Sequence, residues 1–393
     1  MVIDPQEAIK PEHPSVYRYI IKTLGTILGL LLITITAWLH FKSLSCNITI
    51  VPELDISKCP PINESNTKRI WTYWHSDAKT LPLFLIENIK LWRHVAPDWE
   101  IRLITGQDEA DECHYSHFIS NRSLLPTHFD KLFIQGKSDS VRLALMRLYG
   151  GVYLDCSIIL LEPLELRHWN YVTEQGKRLV AYTAATNTLR GTNDGIEIWM
   201  LVAKAQEPLI IAWHDLYLKV VENQNVEYPG VYNESTNEIN PLLKGTVYPS
   251  GWTTYRSPLS YGLSTTVVHT LIQFNKTFNQ MYNNESIISD ASTVGIFYLG
   301  ERFSWDRDKE LAKFLTGPSS YKDIQDLTSK PPIIKLFSHA SYFKDEEYDA
   351  WHNLRSPLGA ISLTLAKKSQ RWRNDKVWET ENFTLPQSKC SFY

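Results

Sequence analysis

Apolar and polar positions in this chain fall into blocks whose period switches between the two-residue repeat of a strand and the 3.6-residue repeat of a helix, which predicts an α/β protein. The first block stands apart. Residues 23–41 form an uncharged, mostly apolar run of 19 residues, about 28 Å long as a helix and close to the roughly 30 Å hydrocarbon core of a bilayer. This run predicts a single transmembrane helix. Lys10, Arg18 and Lys22 precede it, while Lys42, Glu53 and Asp55 follow, so the charge bias places the N-terminus in the cytosol, a type II topology. A cleaved signal peptide fits less well, because the 22-residue lead is long and Trp38-Leu39-His40 lacks small residues for cleavage. The chain then divides into a cytoplasmic tail at residues 1–22, the membrane helix at 23–41, a Pro-, Ser-, Asn- and acid-rich stem at 42–68, and a body at 69–393.

Within the body, residues 70–74 predict a first strand, 81–94 a helix with Leu85, Ile89 and Trp92 on one face, and 100–105 a second strand. Residues 108–135 read as irregular. Val141, Ala144, Leu145, Leu148 and Tyr149 then recur at helical spacing, with Asp139 and Arg142 three apart on another face, where both can act on one target. Gly150 supplies a residue that can leave the helix with positive φ, and Val152 to Leu154 form a short buried strand that ends on Asp155. In open α/β sheets such strand ends are where ligands bind. Further on, residues 158–161 and 331–337 read as strands, 196–205 as an apolar segment, and 358–368 as a helix. Pro208 opens a helix whose face is Leu209, Trp213, Leu216, Tyr217 and Val220. Residues 223–261 carry no readable period and are expected to be recognition loops.

Composition narrows the classes. With 43% hydrophobic and 12% aromatic residues the chain can bury a large core, and a net charge of −3 without a basic, aromatic-interleaved cluster argues against nucleic acid as a partner. Asn47, Asn63, Asn121, Asn233, Asn275, Asn284 and Asn382 each begin an Asn-x-Ser/Thr sequon after the predicted anchor, as expected of a lumenal glycoprotein. Cys46, Cys59, Cys113, Cys156 and Cys390 permit at most two intrachain bridges and leave one thiol over. Cys156 beside Asp155, or Cys46 in a bond between the stems of a homodimer, are the two candidates for it. Cys113-His114-Tyr115-Ser116-His117 has metal-ligand residue types but no second pair at zinc-site spacing, and predicts a solvated loop. No Gly-x-Ser-x-Gly elbow or phosphate loop is present.

Ser138-Asp139-Ser140-Val141-Arg142, a spacer, and Gly150-Gly151-Val152-Tyr153-Leu154-Asp155 resemble the SDxxR and GGVYLD signature of glycosyltransferases that include capsular polysaccharide synthesis proteins, initiating mannosyltransferases and glucosylating toxins. That resemblance implies a single nucleotide-diphospho-sugar transferase domain of the GT-A type, behind the transmembrane helix. It implies that Asp139 and Arg142 hold the donor sugar of a UDP- or GDP-hexose. Asp155 then contacts the ribose and a metal site, where Mn²⁺ or Mg²⁺ neutralises the leaving diphosphate. Ser157 stands where the family's usual second aspartate is, although the capsular branch often shows Ser or Thr there. His339, after the last predicted strand, is either a ligand that supplies what Ser157 lacks or an ordinary surface or core histidine. Trp71, Tyr73 and Trp74 match the aromatic first strand of these transferases, as platforms for the base or as core aromatics. Asp194, in the Asn193-Asp194-Gly195 turn, is either a catalytic-face residue aimed at the sugar or a plain turn residue. The expected protein is a Golgi or ER hexosyltransferase that retains anomeric configuration and acts on a glycan or glycolipid. A second reading, prompted by Ser157, is an inactive relative serving as partner subunit in a transferase complex.

Overall fold

The computed structural model describes residues 54–183, 196–222, 232–233, 238–239, 241–243, 263–290, 314–320, 322, 332–336, 356–362, 365 and 368. All of them lie in a unit spanning Ile50–Leu385; the second unit, Met1–Thr49 with Pro386–Tyr393, lies outside the described residues. So does the predicted transmembrane run at 23–41. Among the described residues no helix is long and apolar enough to cross a membrane.

Strand β1 (Arg69–Trp74) leads through helix α1 (Leu83–Val95) to β2 (Glu100–Thr105), and the two strands pair in parallel from Arg69↔Glu100 to Trp74↔Thr105. A helical crossover is what a parallel pair requires. Helix α1 begins two residues later than its period suggests. Leu81 precedes Pro82 and stays extended, at φ −66° and ψ 127°, because a residue before proline is kept out of the α region.

After the predicted irregular stretch, which holds three short 3₁₀ turns, α2 (Ile134–Tyr149) runs directly into β3 (Gly150–Leu154). The junction needs glycine. Gly150 has φ 59° and donates its N–H to Met146 O as the helix cap, and Gly151 has φ 93°. A Cβ on Gly151 would stand 2.6 Å from Arg69 O, so β3 could not lie against β1.

Strands β4 (Ile158–Leu160), β5 (Leu179–Thr183) and β6 (Ile196–Lys204) follow, then α3 (Pro208–Glu222), α4 (Leu263–Phe274) and α5 (Lys276–Glu285), and strands β7 (Ile287–Asp290) and β8 (Ile333–Lys335). The main sheet has the order β2-β1-β3-β6-β5-β7, with β1/β2, β1/β3 and β5/β7 parallel and β6 antiparallel to both neighbours. Separately, β4 and β8 pair antiparallel.

Both faces of the sheet are covered, which is why its strands read as nearly continuous apolar runs. Ile70, Leu103, Val152 and Val202 pack with Phe84, Leu85, Ile89 and Trp92 of α1 on one side. Trp71, Tyr73, Tyr153 and Leu201 pack with Val141 and Leu145 of α2 and Trp213 and Tyr217 of α3 on the other.

The packed body reaches back before Arg69. Leu54 is buried in the α1-side core, and Cys59 is bonded to Cys113 with a Cα–Cα distance of 5.1 Å, so the second half of the predicted stem lies against the body. Cys156 is the free cysteine among the described residues. The Cys113-to-His117 segment is solvated only at its second end: Ser116 and His117 are exposed, whereas Cys113 and His114 are 0% and 2% exposed, because the disulfide draws the first end into the core.

Candidate functional site

Helix α2 and strand β3 deliver the motif residues to one place. Asp139 and Arg142 are buried, and Arg142 Nη1 donates to Asp139 Oδ1 at 2.6 Å. The other end of the fork, Nη2, donates to Asp155 Oδ1 at 3.0 Å and Ser138 Oγ at 3.2 Å. Its guanidinium lies 4.4 Å from the centre of the Tyr153 ring, a cation–π contact that helps fix its position. One arginine therefore ties the helix to the strand end. Asp155 follows the last residue of β3; its own N–H donates to Trp199 O at 2.9 Å and its carbonyl accepts from Ile158 N at 2.9 Å, which locks the turn. The side chain keeps 27% exposure.

A third cation comes from far away in sequence. Lys335 Nζ stands 2.7 Å from Asp155 Oδ2 and 2.7 Å from Ser157 Oγ. Its place is set by main-chain pairing, with Lys335 opposite Ile158 and Leu336 N donating to Ser157 O at 3.0 Å. Asp139, Arg142, Asp155 and Lys335 thus form a row of alternating charge.

The charges differ in how they are held. Burial raises the Asp139 carboxyl from 3.8 to about 6, with Arg142 opposing the rise and Asp155 adding to it. Asp155 lies below the ordinary value, because Lys335 and Arg142 together outweigh burial. Arg142 is raised: Tyr153, Asp155 and Asp139 overcome the effect of burial. Burial, with the charge of Asp155, pushes the Cys156 thiol up to about 12, so it stays protonated and is no nucleophile at neutral pH.

The loop between β3 and β4 is also held from behind. Asn88, fully buried on α1, donates through Nδ2 to Cys156 O at 2.7 Å and Ile158 O at 2.8 Å, and Trp92 Nε1 donates to Ile158 O at 2.8 Å. Asn88 is a positioning residue for Asp155 and Ser157.

The aromatic strand divides. Trp71 is 0% exposed and its indole N–H donates to Gly150 O at 2.8 Å, so it is core. Tyr73 is buried on the same face, and its hydroxyl is raised by burial. Trp74, at the carboxyl end of β1, is partly exposed and donates to Thr80 Oγ1 at 2.9 Å. Of the three, Trp74 alone is not buried. Asp194 and His339 lie outside the described residues.

Asp155 Oδ2 and Ser157 Oγ, the two oxygens the expected divalent ion would use, are both engaged by the Lys335 ammonium, and no group of three His, Cys, Asp or Glu side chains suited to a metal occurs among the described residues. With both oxygens engaged by the ammonium, these residues do not offer a hard dication the free oxygen ligands it takes.

Residues 52–229 match the family model described as capsular polysaccharide synthesis protein. That stretch contains Asp139, Arg142, Asp155 and Ser157, while Lys335 lies beyond it. Among curated proteins, the chain is 30% identical over 122 residues to the glycosyltransferase afumC of Aspergillus fumigatus, covering 30% of this chain and 31% of that protein. It is 26% identical over 190 residues to the O-glycosyltransferase braB of Annulohypoxylon truncatum, covering 46% and 42%. It is 30% identical over 159 residues to the O-glycosyltransferase PaGT of Phomopsis amygdali, covering 38% of each. The matches therefore span less than half the length of these relatives. The match to a solved structure, PaToxG glycosyltransferase, covers 82% of this chain and 94% of that one at 12% identity and a TM-score of 0.33. Taken together, the family match and the named relatives support a glycosyltransferase family for this chain.

Proposed function

We propose that the protein is a glycosyltransferase that moves a hexose from a UDP- or GDP-sugar to an acceptor hydroxyl, with retention of configuration. The observation that carries the reading is the buried Asp139–Arg142–Asp155 linkage at the carboxyl end of β3. It joins the SDxxR and GGVYLD segments into one constellation. Arg142 offers planar donors to the sugar and the diphosphate, a geometry a lysine cannot reproduce. Asp139 can accept a hydrogen bond from a sugar hydroxyl when ionised, and its raised pKa of about 6 lets it donate one when protonated. Asp155, kept ionised, accepts from the ribose side of the donor. Trp74 is the platform we assign to the base.

Two of the named relatives are O-glycosyltransferases, which supports a hydroxyl oxygen as the acceptor atom. A glycan or glycolipid is the acceptor class we favour, with residues 223–261 as its recognition loops and Asp194 on the sugar side. The place of action is the Golgi or ER lumen, with residues 23–41 as a type II anchor. Sequon asparagines Asn63, Asn121, Asn275 and Asn284 are exposed, as glycan attachment requires.

The test is transfer of radiolabelled hexose from UDP- and GDP-donors to hydroxyl-bearing acceptors by the full-length protein. Label that α-specific but not β-specific glycosidases release supports the whole reading. Release by β-specific enzymes alone refutes retention, and no transfer of any label by the folded protein refutes the activity.

A further inference from the structure

We propose that the Lys335 ammonium occupies the seat of the divalent cation, so that the leaving diphosphate is neutralised by protein charge and donor binding needs no metal. The inference rests on the transferase reading above and concerns the same site.

Lys335 Nζ contacts both oxygens that would otherwise coordinate an ion, Asp155 Oδ2 and Ser157 Oγ, each at 2.7 Å. An ammonium has three N–H donors. Two are spent on these oxygens, and no third partner occurs among the described residues. The third is the donor we assign to a phosphate oxygen of the nucleotide diphosphate beside Asp155. A dication at this spot would have to displace the Lys335 ammonium, on a residue only 7% exposed whose main chain is held by strand pairing with Ile158.

Serine at position 157 and lysine at position 335 account for each other. A second carboxylate beside Asp155 would suit a doubly charged ion, whereas one carboxylate and one hydroxyl suit a single positive charge. Arg142, on the other oxygen of Asp155, places a second fixed cation beside the same carboxylate.

In the transfer step the bond between the anomeric carbon and the diphosphate oxygen breaks, and its electron pair stays on that oxygen. The acceptor oxygen bonds to the anomeric carbon, and the acceptor's hydroxyl proton passes to the leaving phosphate. Lys335 stabilises the oxygen that gains the electron pair without giving up its own proton.

The experiment is calorimetric binding of UDP and GDP to the full-length protein, in EDTA and in Mn²⁺, for wild type, Lys335→Met and Lys335→Arg. Wild type is expected to bind one of them in EDTA, with Mn²⁺ changing the Kd by less than about threefold. Lys335→Met should weaken binding by about tenfold or more and Lys335→Arg should keep most of it, with circular dichroism confirming that both fold. Should Lys335→Met fail to fold, the EDTA arm on wild type decides the matter. Binding by wild type only with Mn²⁺, or undiminished binding by folded Lys335→Met, overturns the inference and leaves the transferase reading standing. No binding of either diphosphate in either condition overturns both.

Discussion

Asp139→Asn separates a residue kept for chemistry from one kept for packing. In the native state burial lifts the Asp139 carboxyl from 3.8 to about 6, a shift equivalent to about 3 kcal/mol. A group whose folded pKa is raised lends its full stability below the unfolded pKa and loses it as pH rises through the folded one. Asp139 therefore makes the wild-type fold weaker by about 2 to 3 kcal/mol at pH 7 than at pH 4, other groups held equal. Asparagine cannot titrate, and its oxygen can still accept from Arg142 Nη1, which now lies 2.6 Å from Asp139 Oδ1. Urea unfolding of both proteins at pH 4 and pH 7 gives two differences in stability, in which the remaining titrations are common. The difference is expected to move in favour of Asp139→Asn by about 2 to 3 kcal/mol from pH 4 to pH 7, while hexose transfer is lost. Equal differences at the two pH values would refute the electrostatic account. Unchanged transfer by the variant would remove Asp139 from the donor site.

Other outcomes follow from the same contacts. Arg142→Lys keeps the charge but cannot span Asp139 and Asp155, so kcat/KM should fall by about 100-fold or more in a donor-turnover assay; a loss below about fivefold would mean the fork is not used. Asn88→Leu leaves the carbonyls of Cys156 and Ile158 without their Asn88 donor. It should destabilise by about 1 to 3 kcal/mol in thermal unfolding and lower kcat through the displaced Asp155 loop, and intact activity with intact stability would deny the tether. Cys59→Ser opens a bridge of sequence separation 54 and should lower unfolding stability by about 2 to 4 kcal/mol, an effect that mild reduction of wild type should reproduce.

The local parts of this fold were legible because they rest on local chemistry. The second strand falls at 100–105 as its alternation predicts, Pro208 opens α3, and the diglycine turns α2 into β3 with the positive φ its sequence demands. Asp139, Arg142 and Asp155 were readable as a set because a helix and the strand after it hold them within 17 residues of one another. Non-local pairings were not. Lys335 reaches Asp155 across a separation of 180 residues, through a β4/β8 pairing that no spacing announces. Its signal was a lysine inside the apolar run Ile333-Ile334-Lys335-Leu336-Phe337. Asn88 was marked in the same way, a polar residue in the apolar stripe of Leu85, Ile89 and Trp92. Trp71 misleads in the opposite direction: the aromatic strand it belongs to lies centrally between β2 and β3, so its ring fills the core before any ligand can use it.

The most direct measurement of the central claim is release of free nucleotide from a panel of UDP- and GDP-hexoses by the full-length protein made in a secretory host, with Asp155→Ala beside it. Asp155 lies between Arg142 and Lys335, and its loss should abolish release of the one accepted donor while circular dichroism shows the fold retained. A folded Asp155→Ala protein with wild-type release would contradict the assignment of the site, and a folded wild type that releases nothing from any donor would contradict the activity.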